Sequence, residues 1–116
     1  MKSKSEYGEF LTQLIKEKNM SQSSFYSQLG IKKPYFYDII AGRVNPPPYD
    51  IQLKIIQILN LKENDIYTLL DLAANKRNEI PYDIAMYLKN SHLIKKIRQS
   101  DEYKKKLGGI FKCQKN

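Results

Sequence analysis

The side chains best suited to chemistry lie between Ser21 and Arg43, in the run SQSSFYSQLGIKKPYFYDIIAGR. Their chemistry is hydrogen bonding to an anionic, base-bearing partner. Lys32 and Lys33 can donate to guanine O6 and N7 or to phosphate oxygens. The hydroxyls of Tyr35 and Tyr37 can reach a phosphate, and their rings can lie against a thymine methyl. Asp38 can accept from the amino group of cytosine. Ser21, Gln22 and Ser23 stand at the start of a helix, where donors converge on an anion, and Ser21 is also a good N-cap. Arg43 has two readings, a phosphate contact or a solvated surface charge. Nothing comparable supports catalysis. The single His92 and the single Cys113 cannot build a metal site. No glycine-rich phosphate loop occurs, and no carboxylate pair stands apart from helix caps. The expectation is therefore no catalytic residue, no metal and no cofactor.

These donors need a rigid support, and the apolar spacing supplies one. Phe25 and Leu29 form the buried pair of a helix running from the Ser21 cap to Gly30, which can adopt positive φ without a Cβ clash. Ile31 plugs the corner. A second helix, residues 32–41, places Pro34 in its first turn, where the missing N–H costs little. Phe36, Ile39 and Ile40 turn inward, and Lys32, Lys33, Tyr35, Tyr37 and Asp38 are left to face out. Gly42 stops this helix, and Pro46-Pro47-Pro48 forces an extended exit. Two helices meeting at such a corner let the second enter a major groove roughly 12 Å wide.

The flanking segments read as helices too. Tyr7, Phe10, Leu11, Leu14 and Ile15 make a stripe over about residues 5–18, opened by a capping box at Ser3-Lys4-Ser5-Glu6 and stopped near Asn19. Ile51, Ile55, Ile58 and Leu59 mark a helix over 49–60. Ile66, Leu69, Leu70 and Ala73 mark another over 63–75. A further helix starts at Pro81 and runs to about 90 with Ile84, Tyr87 and Leu88 on its face, and shorter ones cover 92–98 and the stretch after Ser100, fraying after Gly108-Gly109. No strand alternation and no internal repeat is visible, so the fold class is all-α. Tyr7, Tyr67 and Tyr87 read as half-buried core tyrosines with the hydroxyl at the surface.

Residues 5 to about 75 resemble the phage-repressor-like helix-turn-helix family, also called the XRE family. The resemblance rests on Met20-Ser21-Gln22, Phe25, Leu29-Gly30-Ile31, Phe36, Ile39 and Gly42. It implies a compact five-helix bundle in residues 1–75 whose second and third helices read double-stranded DNA. The stretch Arg77-Asn78-Glu79-Ile80-Pro81-Tyr82-Asp83-Ile84 is similar to a subgroup with a helical extension, here residues 76–116. Two positions depart from the family pattern. Tyr26 stands where a small residue is usual, so its ring must either splay the helix crossing or pack along an edge. Pro34 stands where a small polar base reader is frequent, and it has no side-chain donor to give. The resemblance implies a sequence-specific transcriptional regulator, a repressor, of the kind found in mobile elements and acting as a homodimer. A rival reading keeps the scaffold but binds a protein partner, as an anti-CRISPR-type inhibitor or its associated regulator. A third is a nonspecific or single-strand nucleic-acid binder.

Charge supports an anionic partner. The chain of 116 residues carries a formal net charge of +8. Residues 1–43 hold seven Lys/Arg against four Asp/Glu, residues 44–87 four against six, and residues 88–116 nine against two. In that basic end Leu93, Ile94, Ile97, Leu107, Ile110 and Phe111 have the spacing of an apolar seam for dimerisation, and the lysines are either solvated or clamp flanking phosphates. One cysteine fits a reducing cytoplasm. No run is long and apolar enough for a signal peptide or a membrane span.

Overall fold

A computed structural model describes residues 5–111, with side chains through residue 107. Among the described residues there are helices and no strands: α1 (Glu6–Glu17), α2 (Gln22–Leu29), α3 (Lys33–Ala41), α4 (Tyr49–Leu59), α5 (Glu63–Arg77), α6 (Tyr82–Lys89), α7 (Leu93–Gln99) and α8 (Asp101–Phe111). The chain divides into two units, Met1–Tyr82 and Asp83–Asn116.

In the first unit the helix ends follow directly from side-chain chemistry. Ser5 Oγ accepts the Gly8 N–H at 2.9 Å and so caps α1, while Ser21 Oγ accepts the Ser24 N–H at 3.0 Å and caps α2. Ser3 and Lys4 of the expected capping box lie outside the described residues. Five left-handed residues end the helices: Asn19, Gly30, Gly42, Asn60 and Asn78. After each, the next residue's N–H reaches back to a carbonyl in the helix's last turns. Met20 donates to Ile15, Ile31 to Tyr26, Arg43 to Asp38, Leu61 to Ile56 and Glu79 to Ala74, over 2.8–3.3 Å. This is one C-terminal motif used five times, and it satisfies carbonyls that helix ends leave bare. The sequence places the end of α5 at Asn75, but Asn78 is the residue that takes the left-handed stop, so the helix extends to Arg77.

The core lies between these helices. Helix α1 packs on α3 and α5, and α2 packs on α4. Phe25, Phe36, Ile55, Leu59 and Leu69 have no solvent exposure. Ile31, Ile51, Ile58 and Ile66 are half-buried against that cluster. Gly8 is what lets α1 come so close to the end of α3, because a Cβ there would meet the Ile40 carbonyl oxygen at 1.9 Å. One polar side chain, Gln52, is buried within this core. Its Oε1 accepts from the Tyr7 hydroxyl at 3.4 Å, and its Nε2 donates to the Pro47 carbonyl at 3.1 Å. The proline exit is thereby tied to α1 through one amide, and the Arg77 guanidinium donates to the Pro46 carbonyl beside it. Tyr7 is thus fully buried instead of reaching the surface, whereas Tyr67 and Tyr87 are exposed.

The second unit contrasts sharply in burial. Helices α7 and α8 pack against each other, yet no residue from 83 to 107 is buried. Of the expected helical face Ile84, Tyr87 and Leu88, the first two are exposed and Leu88 is half-buried. Among the seam residues, Ile94 and Ile97 are exposed, and Leu93 and Leu107 are half-buried. The side chains of Ile110 and Phe111 lie outside those described. Among the described residues no helix is long and apolar enough to cross a membrane.

Candidate nucleic-acid interface

The surface formed by α2 and α3 begins at the turn between them. Gly30 holds φ +83°, and open space surrounds the position where a Cβ would be. The glycine is therefore required by backbone angle and not by crowding. Ile31 then drops onto the core, and Lys32 becomes the extended residue that opens α3. Pro34 falls in the first turn, as its lack of an N–H requires. From there Phe36, Ile39 and Ile40 are buried, while Lys32, Lys33 and Tyr37 are exposed and Asp38 is half-buried.

Tyr26 packs into the corner between α2 and α3. Its half-buried ring sits 5.4 Å from the Phe36 ring, which also meets Phe25 at 5.9 Å and Tyr37 at 5.1 Å. Phe36 is thus enclosed by aromatic edges and faces, an arrangement that favours tilted pairs.

Most of the donors singled out in the sequence do come together here. Ser21 and Ser23 are exposed at the start of α2, with their hydroxyls 3.4 Å apart. The Tyr37 hydroxyl donates to Gln22 Oε1 at 2.8 Å. That bond spans the two helices and leaves the Gln22 amide nitrogen pointing its donors elsewhere. Arg43 Nε donates to Asp38 Oδ1 at 2.7 Å. Tyr35 is the exception to the outward set. It is half-buried and packed against the core. Burial pushes the Tyr7 phenol well above its ordinary range, the neighbouring Tyr35 pushes it the same way, and Arg77 opposes them.

Three features of the site escaped the sequence reading: the Gln22–Tyr37 bridge, the Asp38–Arg43 pair, and Gly8. A glutamine beside an N-cap gives no sign of a partner 15 residues on. An aspartate four residues before a glycine stop and an arginine just after it do give one, since the C-terminal motif brings those positions together. Gly8 inside an amphipathic run is the signal for a close helix approach.

One cleft of about 270 Å³ in the first unit is lined by Ser5, Glu6, Tyr7, Leu72, Asn75 and Lys76. Another cleft of about 180 Å³ lies beside the proline exit, lined by Pro47, Tyr49, Arg77 and Tyr82 among others. It is smaller than the roughly 300–1,000 Å³ of small-molecule sites, and Tyr49 and Tyr82 stack across it at 3.8 Å. Among the described residues no group of His, Cys, Asp and Glu could hold a metal ion. No family model matches this chain, and neither a curated protein nor a solved structure matches it.

Proposed function

We propose that this protein binds double-stranded DNA as a transcriptional repressor, with α2, the Gly30 turn and α3 acting as a helix-turn-helix and α3 lying in the major groove. One observation carries the reading. Helix α3 buries Phe36, Ile39 and Ile40 yet leaves Lys32, Lys33 and Tyr37 on the surface, with Tyr37 tied to the start of α2 through Gln22. A reading helix needs that combination of a fixed inner face and an outer face of donors. The net charge of +8 supplies the sequence-independent attraction. In this reading five helices form a repressor-like bundle, the exposed Ile94 and Ile97 belong to a homodimer seam, and the protein works in the cytoplasm without a cofactor. Two-fold symmetry then sets half-sites about 34 Å apart.

The test is a selection from random duplexes followed by gel shifts at low salt. A near-palindromic site is expected, together with a dimer mass by light scattering. Lys33→Ala combined with Tyr37→Ala is expected to weaken binding to the selected site more than to random duplex, by roughly 1–3 kcal/mol for a lost base contact. Equal losses on both duplexes would remove α3 as the reading helix.

A second reading rests on a different observation, the exposure of Ile84, Met86, Tyr87, Ile94 and Ile97 in the second unit. Exposed large apolar residues in such number suit a protein partner. Recovery of a stoichiometric protein partner in the absence of nucleic acid would favour this role over the regulator.

A further inference from the structure

The described residues show a single ion pair, and it lies on the face assigned to DNA. Arg43 is committed twice over. Its Nε donates to Asp38 Oδ1 at 2.7 Å, and its Nη2 donates to the Tyr37 carbonyl at 3.4 Å. Those two nitrogens form the side edge of the guanidinium, one of the edges with which arginine forks onto a phosphate. The backbone fixes the same geometry. Gly42 at φ +79° turns the chain, and the Arg43 N–H closes back on the Asp38 carbonyl at 2.9 Å. The pair is therefore built by the helix stop itself.

Resting on the DNA-binding reading, we propose that Asp38 is an internal counter-ion that holds Arg43 away from phosphate and so lowers the protein's affinity for DNA of arbitrary sequence. A phosphate approaching Arg43 finds the side edge taken, is left with the Nη1/Nη2 end, and comes in against that carboxylate's negative charge. The exposed lysines of α3, Lys32 and Lys33, have no such partner. The face thus separates free cations, which attract any duplex, from one cation that is held back. Sequence-independent attraction retains a protein on the many competing sites of a chromosome, and Asp38 limits it.

The experiment is a double-mutant cycle on a random-sequence duplex, with binding measured across a salt series. Asp38→Asn is expected to tighten binding by roughly three- to tenfold at low salt and to steepen the log K against log salt slope by about 0.9, one added phosphate contact. Asp38→Ala, which also removes the carboxylate, is expected to behave alike. In an Arg43→Ala background the same Asp38 changes are expected to do almost nothing. If the gain persists without Arg43, Asp38 acts only as a general negative charge and the inference is overturned. If the Asp38 variants bind no more tightly than the wild type, it is overturned as well. If no variant and no wild-type protein retains any duplex at low salt, the DNA-binding reading falls and takes this inference with it.

Discussion

Phe25, Phe36, Ile55 and Leu69 of the first unit are sealed from solvent, while Ile84, Tyr87, Ile94 and Ile97 of the second stand exposed. Both sets come from helical stretches with apolar residues at three- and four-residue steps. The spacing therefore decides that a helix has an apolar side, and something else decides whether that side is covered. In the first unit the covering comes from within: α1 meets α3 and α5, α2 meets α4, and each helix stops on a left-handed residue that lets the next one turn back. Residues 83–107 have no buried member. Burial of apolar surface contributes about 25 cal/mol per Å², so among the described residues the fully buried apolar surface that stabilises the fold lies in the first unit. The second unit carries apolar surface of the kind that gains by meeting a partner.

The largest test of that contrast is a matched pair of aromatic truncations. Phe36→Ala is expected to destabilise the protein by about 4 kcal/mol, since it removes a fully buried ring and opens a cavity among Phe25, Tyr26 and Tyr37. Tyr87→Ala removes a larger side chain that is 64% exposed, and is expected to change stability by less than about 0.5 kcal/mol. Denaturant unfolding read at one fixed protein concentration reports both. A comparable loss from Tyr87→Ala would mean that the second unit carries folding energy after all.

Next in size is Gly8→Ala. Alanine is the better helix former by about 1 kcal/mol on propensity alone. Here the added methyl would meet the Ile40 carbonyl oxygen at 1.9 Å, and the atoms it meets are backbone. The clash has to win, and the expected result is a net loss of roughly 3 kcal/mol. A stabilised Gly8→Ala protein would show that α1 and the end of α3 stand further apart than described.

Those two substitutions mark how far the sequence could be read. The helix stops at Gly30 and Gly42 and the inward positions of Phe25, Leu29, Phe36, Ile39 and Ile40 were legible, because a glycine stop and a 3.6-residue period each have one physical interpretation. Tyr7 and Tyr35 are less exposed than their sequence positions suggest, for a shared reason. Tyrosine is compatible with either side of a helix, and only the neighbours decide. For Tyr7 the decisive neighbour is Gln52, 45 residues away, which accepts its hydroxyl and makes full burial tolerable. Tyr35 is half-buried against the same core. The outward donors were legible as a set. Of their pairings, Tyr37 with Gln22 was not, since it spans 15 residues across the Gly30 turn, whereas Arg43 with Asp38 follows from the Gly42 stop between them.

The smallest expected effect comes from that buried phenol. Tyr7→Phe keeps the ring and removes the hydroxyl, so Gln52 loses a donor but keeps its own bond to Pro47. At neutral pH the expected loss is about 1 kcal/mol. Alkaline pH separates the phenol from the ring. Burial raises the folded phenol above its ordinary value of 10.0, with Tyr35 adding to the rise and Arg77 opposing it. In the unfolded chain the phenol releases its proton near pH ~10 while the folded chain still holds it. The unfolded state then binds fewer protons, so stability falls as pH rises. The contribution is fully present below that ordinary value and is lost as pH climbs through the folded one. Wild-type protein is therefore expected to shed stability above pH ~10 by up to about 1.4 kcal/mol per pH unit from this group. The Tyr7→Phe protein, started from a slightly lower value, is expected to decline less steeply there and to run parallel to wild type below it. Urea midpoints measured from pH 8 upward decide this. Curves that stay parallel throughout would place the Tyr7 hydroxyl in contact with water and so open the part of the first unit that now appears most completely closed.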